Sequence, residues 1–332
     1  MTTTLRRARA LPACVILAVA ACAPTARAAA FTPGNVLVAS QQQLIEYTHE
    51  GVAVRTVGVP VVAGSLSGLH DLMVDRNGNV QIYNGTSPAV LTQYDPVINS
   101  FSHQPDTFSV VNVLGFGGLV VAGDFVYVTD WDTGGSPGTG LVRFRVGGGP
   151  TTVVTPGQYM DLTLGRDGKL YALRNDGIGS GGATVDAFDP VTGAALGSIR
   201  LVADASAIAV DAAGDFYAVD QDNPITHFDR TGAIVKTMPD PVGGLVDIDI
   251  NAQDELVLAS HSGEIAFTTT RLESLTRFNH RHQTDQNFVA WADPGLPVPE
   301  PSSTAALVMA GAALALDRRC RERERELERG QV

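Results

Sequence analysis

Leu162-Thr163-Leu164, Asp167-Gly168 and Leu170-Tyr171-Ala172-Leu173 are followed, after a glycine-rich loop, by Ala187-Phe188-Asp189-Pro190. An apolar strand, a tight turn, a second apolar strand and a third ending in an aromatic before Asp form one antiparallel unit. The unit recurs on both sides. Upstream lie Leu72–Val74, Asn77-Gly78, Val80–Tyr83 and Gln93-Tyr94-Asp95-Pro96, then Leu119–Val121, Gly123, Phe125–Thr129 and Arg143-Phe144-Arg145. Downstream lie Ile208–Val210, Gly214, Phe216–Val219 and His227-Phe228-Asp229, then Ile248–Ile250, Asp254 where the others have Gly, Leu256–Ala259 and Ile265–Thr268. An incomplete copy opens the series with Gly34, Val36–Ala39 and Glu46-Tyr47-Thr48. The turn positions 34, 78, 123, 168, 214 and 254 are spaced by 44, 45, 45, 46 and 40 residues.

Six units of four short alternating strands predict an all-β fold, a six-bladed β-propeller over residues 31–298. The first copy lacks an inner strand. Phe288-Val289-Ala290-Trp291, at the far end of the body, supplies one. Paired with Val36–Ala39 it would close the ring and remove two exposed edges.

The two ends read as addresses. Arg6, Arg7 and Arg9 precede the apolar run Leu11–Ala21, and Ala26-Arg27-Ala28 stands before Ala29-Ala30-Phe31. This is the layout of a secretory signal peptide over residues 1–30, an apolar helix cleaved by signal peptidase after Ala28 or Ala30. Val19-Ala20-Ala21-Cys22 also resembles a bacterial lipobox, which would place a lipid on Cys22. The A-x-A site is preferred because the C-terminal anchor makes a lipid redundant.

Residues 299–332 begin Pro299-Glu300-Pro301, continue with apolar Thr304–Leu316, and turn basic at Arg318-Arg319. The order is a proline hinge, a short apolar helix and a basic stop that would stay in the cytoplasm. It resembles the PEP-CTERM sorting signal of exosortase-bearing bacteria. The resemblance implies that Pro299, Glu300 and Pro301 form the processing site, and that exosortase is a partner during export. It further implies transient anchoring in the inner membrane, then a place on the cell surface or in a biofilm exopolysaccharide matrix. Two departures stand out. A 13-residue helix spans about 20 Å against a hydrocarbon core of ~30 Å. The tail also continues as the Arg/Glu segment Arg321–Arg329.

The chain has 332 residues, of which 17% are charged and 6% aromatic, with 35 Gly and 18 Pro. Residues 31–298 carry 13 basic and 29 acidic residues, a net of −16, and 24 of the acids are Asp. Such a body repels phosphate backbones, so nucleic acid is not an expected partner. Cys14, Cys22 and Cys320 all lie in the terminal segments. The body therefore has no disulfide framework, no Cys-based zinc site and no thiol nucleophile.

The repeats resemble NHL-like six-bladed propellers, and Asp189-Pro190-Val191-Thr192-Gly193 and Asp229-Arg230-Thr231-Gly232 resemble their outer turns. That superfamily includes lyases, lactonases, scaffolds and binding modules, so the fold does not decide the function.

Seven residues before each turn, Asp71, Asp161 and Asp247 alternate with Phe116, Ala207 and Phe288. Inner strands line the channel of a propeller, so the three carboxylates would share one level near its mouth. Oxygen ligands favour calcium or magnesium over zinc. The competing reading has each Asp bonding the backbone of its own strand. Asp130, Asp132, Asp220 and Asp222, on loops after second strands, form a secondary set of calcium candidates, although Asx-turns account for them equally well. His280 and His282 supply too few ligands for a zinc site, and His70 reads as a surface histidine beside Asp71.

Gly134–Gly138 and Gly177–Gly182 match a nucleophile elbow and a dinucleotide loop, but neither opens a helix. No complete catalytic constellation is visible. The sequence therefore points to a non-enzymatic module binding matrix polysaccharide or surface protein. The alternative is a divalent-metal-dependent, lactonase- or lyase-like propeller enzyme.

Overall fold

The computed structural model describes residues 31–40, 42–60, 69–84, 90–103, 117–130, 140–146, 149–175, 182–221, 223–280 and 287–293. They form six antiparallel sheets of four strands each, and no helix occurs among them. The inner strands of blades 2 to 6 are Leu69–Val74, Leu119–Ala122, Tyr159–Leu164, Ala207–Val210 and Leu245–Ile250. In blade 1 the inner strand is Asn287–Trp291, from the far end of the body.

That strand pairs antiparallel with Val36–Ser40, placing Val36 opposite Trp291 and Ala39 opposite Phe288. The ring is thus closed by the pairing the sequence suggests. The closure is needed because an open blade would leave two rows of unpaired backbone groups exposed.

The core lies between blades. Strand residues alternate faces, so each blade offers apolar side chains to both neighbours. Leu37, Ala39, Leu72, Ile82 and Phe288 pack between blades 1 and 2. Val36, Val38, Val257, Phe267 and Trp291 pack between blades 6 and 1. The outer strands of blades 4 and 5, Ala195–Arg200 and Ile234–Met238, are mostly exposed and read as edges rather than core.

The inner hairpins turn through a residue with positive φ. Gly78, Gly168 and Gly214 occupy it at +78°, +78° and +83°, and Asp254 takes it at +61°. Left-handed backbone is free of steric cost only for glycine, so the recurrent glycines are a requirement of the turn.

Blade 3 departs from the others. Ala122 pairs directly with Phe125, whereas blade 2 pairs Val74 with Val80, so its hairpin is shorter. Counting seven residues back from Gly123 therefore overshoots. Phe116 lies outside the described residues, and Gly118, just before Leu119, stands where blade 2 has Asp71. A Cβ on Gly118 would approach the Leu162 amide nitrogen to 2.2 Å. Only a residue without a side chain lets blade 3 sit this close to blade 4.

Candidate functional site: the channel carboxylates

Each inner strand bonds to its blade along one edge and turns the other edge to the channel. The N–H groups on that free edge need acceptors. Asp71, Asp161 and Asp247 supply them. Each sits at the start of an inner strand, with its side chain on the face turned to the next blade.

Leu72 N–H donates to Asp71 Oδ1 at 2.7 Å, and Leu119 N–H of blade 3 donates to Asp71 Oδ2. Leu162 N–H donates to Asp161 Oδ1 and Ile208 N–H of blade 5 to Asp161 Oδ2, both at 2.7 Å. Ile248 N–H donates to Asp247 Oδ1 at 2.8 Å, and Val289 N–H of blade 1 to Asp247 Oδ2 at 2.7 Å. Three carboxylates thereby take six edge amides, one from each blade. They tie blade 2 to 3, 4 to 5 and 6 to 1. At the other three contacts the corresponding residues are Gly118, Ala207 and Phe288, which offer no carboxylate.

The sequence offered two readings of these residues, a shared site or independent strand caps. The structure combines parts of each. One oxygen caps the residue's own strand, and the other crosses to the next blade.

Asp249, two residues beyond Asp247 and on the same face, repeats the pattern one level along the channel. Ile250 N–H donates to its Oδ1 at 2.8 Å and Trp291 N–H to its Oδ2 at 3.0 Å. Asp249 is not among the residues that the turn spacing marks. The alternation Asp247-Ile248-Asp249-Ile250 carries the signal, because residues two apart on a strand share a face.

Asp71, Asp161 and Asp247 are buried and Asp249 is half-buried, and burial disfavours the charged form. Asp71 is held well above the usual carboxylate range, by burial first and then by the charges of Asp247 and Asp161. Asp161 is raised by burial and by Asp247. Burial, with Asp249 adding to it, pushes Asp247 up to about 7. Burial and Asp293 push Asp249 up to about 6. Amide donors pull all four the other way, without cancelling the burial.

The carboxyls line a cavity of about 540 Å³ within the channel, together with Met73 and Trp291. Its other end, at the inner hairpins, is bordered by Arg76, Asn77, Arg145, Asn251 and Asp293.

The remaining sequence candidates do not join this cluster. Asp220 ends a strand of blade 5, accepting from Gln221 N–H at 2.8 Å and Asn223 Nδ2 at 2.6 Å, which is local loop bonding. Asp132, Asp222 and the side chain of Asp130 lie outside the described residues, as do Ala28, Ala30, Pro299, Glu300 and Pro301. His280 is buried, its Nε2 2.7 Å from Asn287 Oδ1, while His282 and the side chain of His70 are outside the description.

No protein-family model matches the chain, and no curated protein matches it in sequence. Among solved structures it is similar to a gluconolactonase from Xanthomonas campestris, at 18% identity and a TM-score of 0.50, over 66% of this chain and 75% of that one. It is also similar to a calcium-binding protein, regucalcin, from Agrobacterium tumefaciens, at 14% identity and a TM-score of 0.51, over 72% and 85%. At these identities the likeness establishes the six-bladed fold.

The expectation of a non-enzymatic binding or structural module is corrected here. The similar propellers are a gluconolactonase and a calcium-binding protein, and buried carboxyls line a cavity in this one.

Proposed function

We propose that the chain is a propeller enzyme that hydrolyses a small lactone-type ester in its channel. One observation carries the reading. Asp247 and Asp249 share one face of an inner strand on the cavity wall, about 6.6 Å apart along the strand, with proton affinities raised to about 7 and about 6. Two carboxyls whose environments separate their affinities around neutral pH can divide acid and base roles.

At pH 7 Asp249 is mostly ionised and takes a proton from water as the water oxygen adds to the ester carbonyl. The tetrahedral intermediate collapses, its ring C–O bond breaks, and the proton on Asp247 passes to the departing oxygen. The products are a hydroxyl and a carboxylic acid, and the two Asp have exchanged protonation states. The gluconolactonase likeness supports the choice of ester.

Calcium is the ion named for the similar calcium-binding propeller. A direct chelate needs six to eight converging oxygens. Each oxygen of each channel Asp accepts one amide N–H, which leaves one lone pair per oxygen. Among the described residues, no three His, Cys, Asp or Glu side chains converge to hold a metal ion. Among the described residues, the channel carboxyls therefore do not fit as a direct calcium cage.

The test is lactone hydrolysis by pH-stat on the purified protein, with and without calcium. Gluconolactone turnover should exceed the spontaneous rate, and Asp249→Asn should lower it about 100-fold or more. Turnover at the spontaneous rate across a panel of five- and six-membered lactones, in both ionic conditions, overturns the proposal.

We also infer that the protein is exported. Supporting this are the Arg6–Ala21 leader pattern with Ala28 and Ala30, and the order of Pro299-Glu300-Pro301, apolar segment and basic cluster. Signal peptidase and exosortase would process it, leaving the propeller at the cell surface or in the matrix. Replacing Pro299, Glu300 and Pro301 with Ala in an exosortase-bearing host should leave an unprocessed, membrane-bound precursor. Identical mass and fractionation for variant and wild type would remove the sorting reading.

A further inference from the structure

Asp254 breaks the rule of the inner turns. Where blades 2 to 5 place glycine, blade 6 places a carboxylate at φ +61°. A side chain costs about 1 kcal/mol in that conformation, somewhat less for Asp than for most residues. The carboxylate does not bond within its own turn in the way the other turn acids do. It faces Arg166, whose Nη1 lies 3.1 Å from Asp254 Oδ1. The Arg166 Nη2 donates to the Asn251 carbonyl of the same turn.

Arg166 belongs to the inner turn of blade 4, and Asn251 and Asp254 to that of blade 6. These blades are not neighbours. Blade 5 stands between them, so the guanidinium arm passes in front of blade 5 at the hairpin end of the channel. There the turn of blade 5 carries Ala212 and Ala213, in the places where blade 2 carries Arg76 and Asn77. Two alanines leave room for the arm. Thr163 and Leu164, just before the arm's root, and Asn251, at its landing point, all line the cavity.

The Asp254 side chain is 43% exposed and that of Arg166 20%, so the pair is half-buried. An ion pair near the surface contributes about 0–1 kcal/mol, comparable to the backbone cost. An outlying backbone conformation held by an arm from a non-adjacent blade points to a geometric role. We infer that Arg166 and Asp254 form a strap across the hairpin-end mouth of the channel, and that the strap limits the size of molecule this mouth admits. The inference rests on the reading that the channel takes a ligand, and makes Arg166 a determinant of substrate size.

The cysteine-free body supplies the test. In the full chain with Cys14, Cys22 and Cys320 replaced by Ser, Thr163→Cys puts one thiol on the cavity wall. Labelling rates with small N-ethylmaleimide and bulky pyrene-maleimide, both neutral, report the width of the opening. Asp254→Gly suits the turn better than Asp, so the melting temperature should stay level or rise while the strap is lost. In that variant the bulky-to-small rate ratio should rise about tenfold, equivalent to about 1.4 kcal/mol of preference for the strapped state. Arg166→Ala should do the same, and Asp254→Asn, which tolerates the turn and keeps an acceptor, should fall between. A wild-type ratio in both Asp254→Gly and Arg166→Ala overturns the strap, as does a rise in Asp254→Gly alone. Labelling needs no turnover, so a failed lactone assay leaves this result standing and the converse also holds.

Discussion

A chain ending before Asn287 should not fold to a stable ring. The segment removed contributes Phe288, Val289, Ala290 and Trp291, all less than 5% exposed, and the whole inner edge of blade 1. Truncating a buried Phe or Trp to Ala costs about 3–5 kcal/mol each, so two such losses approach the roughly 5–15 kcal/mol that holds a typical domain. Backbone losses add to this. Val36–Ser40 would lose one of its two ladders, and Asp247 and Asp249 would lose the Val289 and Trp291 amides that they hold. The measurement is thermal unfolding with sizing by light scattering. The expected result is loss of the cooperative transition, or association through the uncovered inner edge of Val36–Ser40. The point variant Phe288→Ala keeps the strand and should lower stability by about 3–5 kcal/mol. A truncated chain that melts as a monomer at the wild-type temperature would show that closure is dispensable.

The closing strand also shows what was readable in advance. Alternating apolar residues and a glycine at near-constant spacing announce blades, because both follow from local rules: side chains alternate on a strand, and a tight turn needs positive φ. Residue spacing alone cannot see a change in hairpin length. The short turn of blade 3 moved its channel position from Phe116 to Gly118, and the sign is the tight Ala122-Gly123-Asp124-Phe125 turn, which lacks the extra residues of Asp75–Asn79.

The carboxylate ring was half legible. Counting back from the turns brought Asp71, Asp161 and Asp247 to one level, and the structure puts them on one cavity. That their second oxygens reach the next blade was not readable, because the free edge of an inner strand exists only once the ring is assembled. Asp249 escapes the turn spacing for a simpler reason, since that spacing marks one residue per blade. The strap could not be seen either. It joins turns 85 residues apart whose only sequence mark is an Asp where glycine recurs.

The protein should be more stable at pH 5 than at pH 8, against the usual behaviour of paired carboxylates. Two effects compete at Asp71, Asp161, Asp247 and Asp249. Amide donors favour the ionised form; burial and mutual repulsion favour the neutral one, and here the second prevails. A carboxyl raised in the folded state holds a proton that the unfolded chain releases above about pH 3.9. Between that pH and the folded value the native state binds more protons, so unfolding free energy falls as pH rises. For Asp247 and Asp249 the window runs from about 4 to about 7 and about 6 respectively. At about 1.4 kcal/mol per bound proton per pH unit, the two together should cost on the order of 3–4 kcal/mol between pH 5 and pH 8. The body's net charge of −16 pushes in the same direction, so the wild-type slope alone does not identify its source. Asp247→Asn separates the two, because it removes one buried titration while changing the net charge by a single unit. Its stability, followed by urea unfolding from pH 5 to pH 8, should fall less steeply than that of the wild type, with the difference concentrated between pH 5 and pH 7. A wild-type profile that is flat or rises with pH would mean that the eight amide donors outweigh the burial. The channel would then hold four full negative charges at neutral pH, and Asp247 could not be the acid of the proposed reaction.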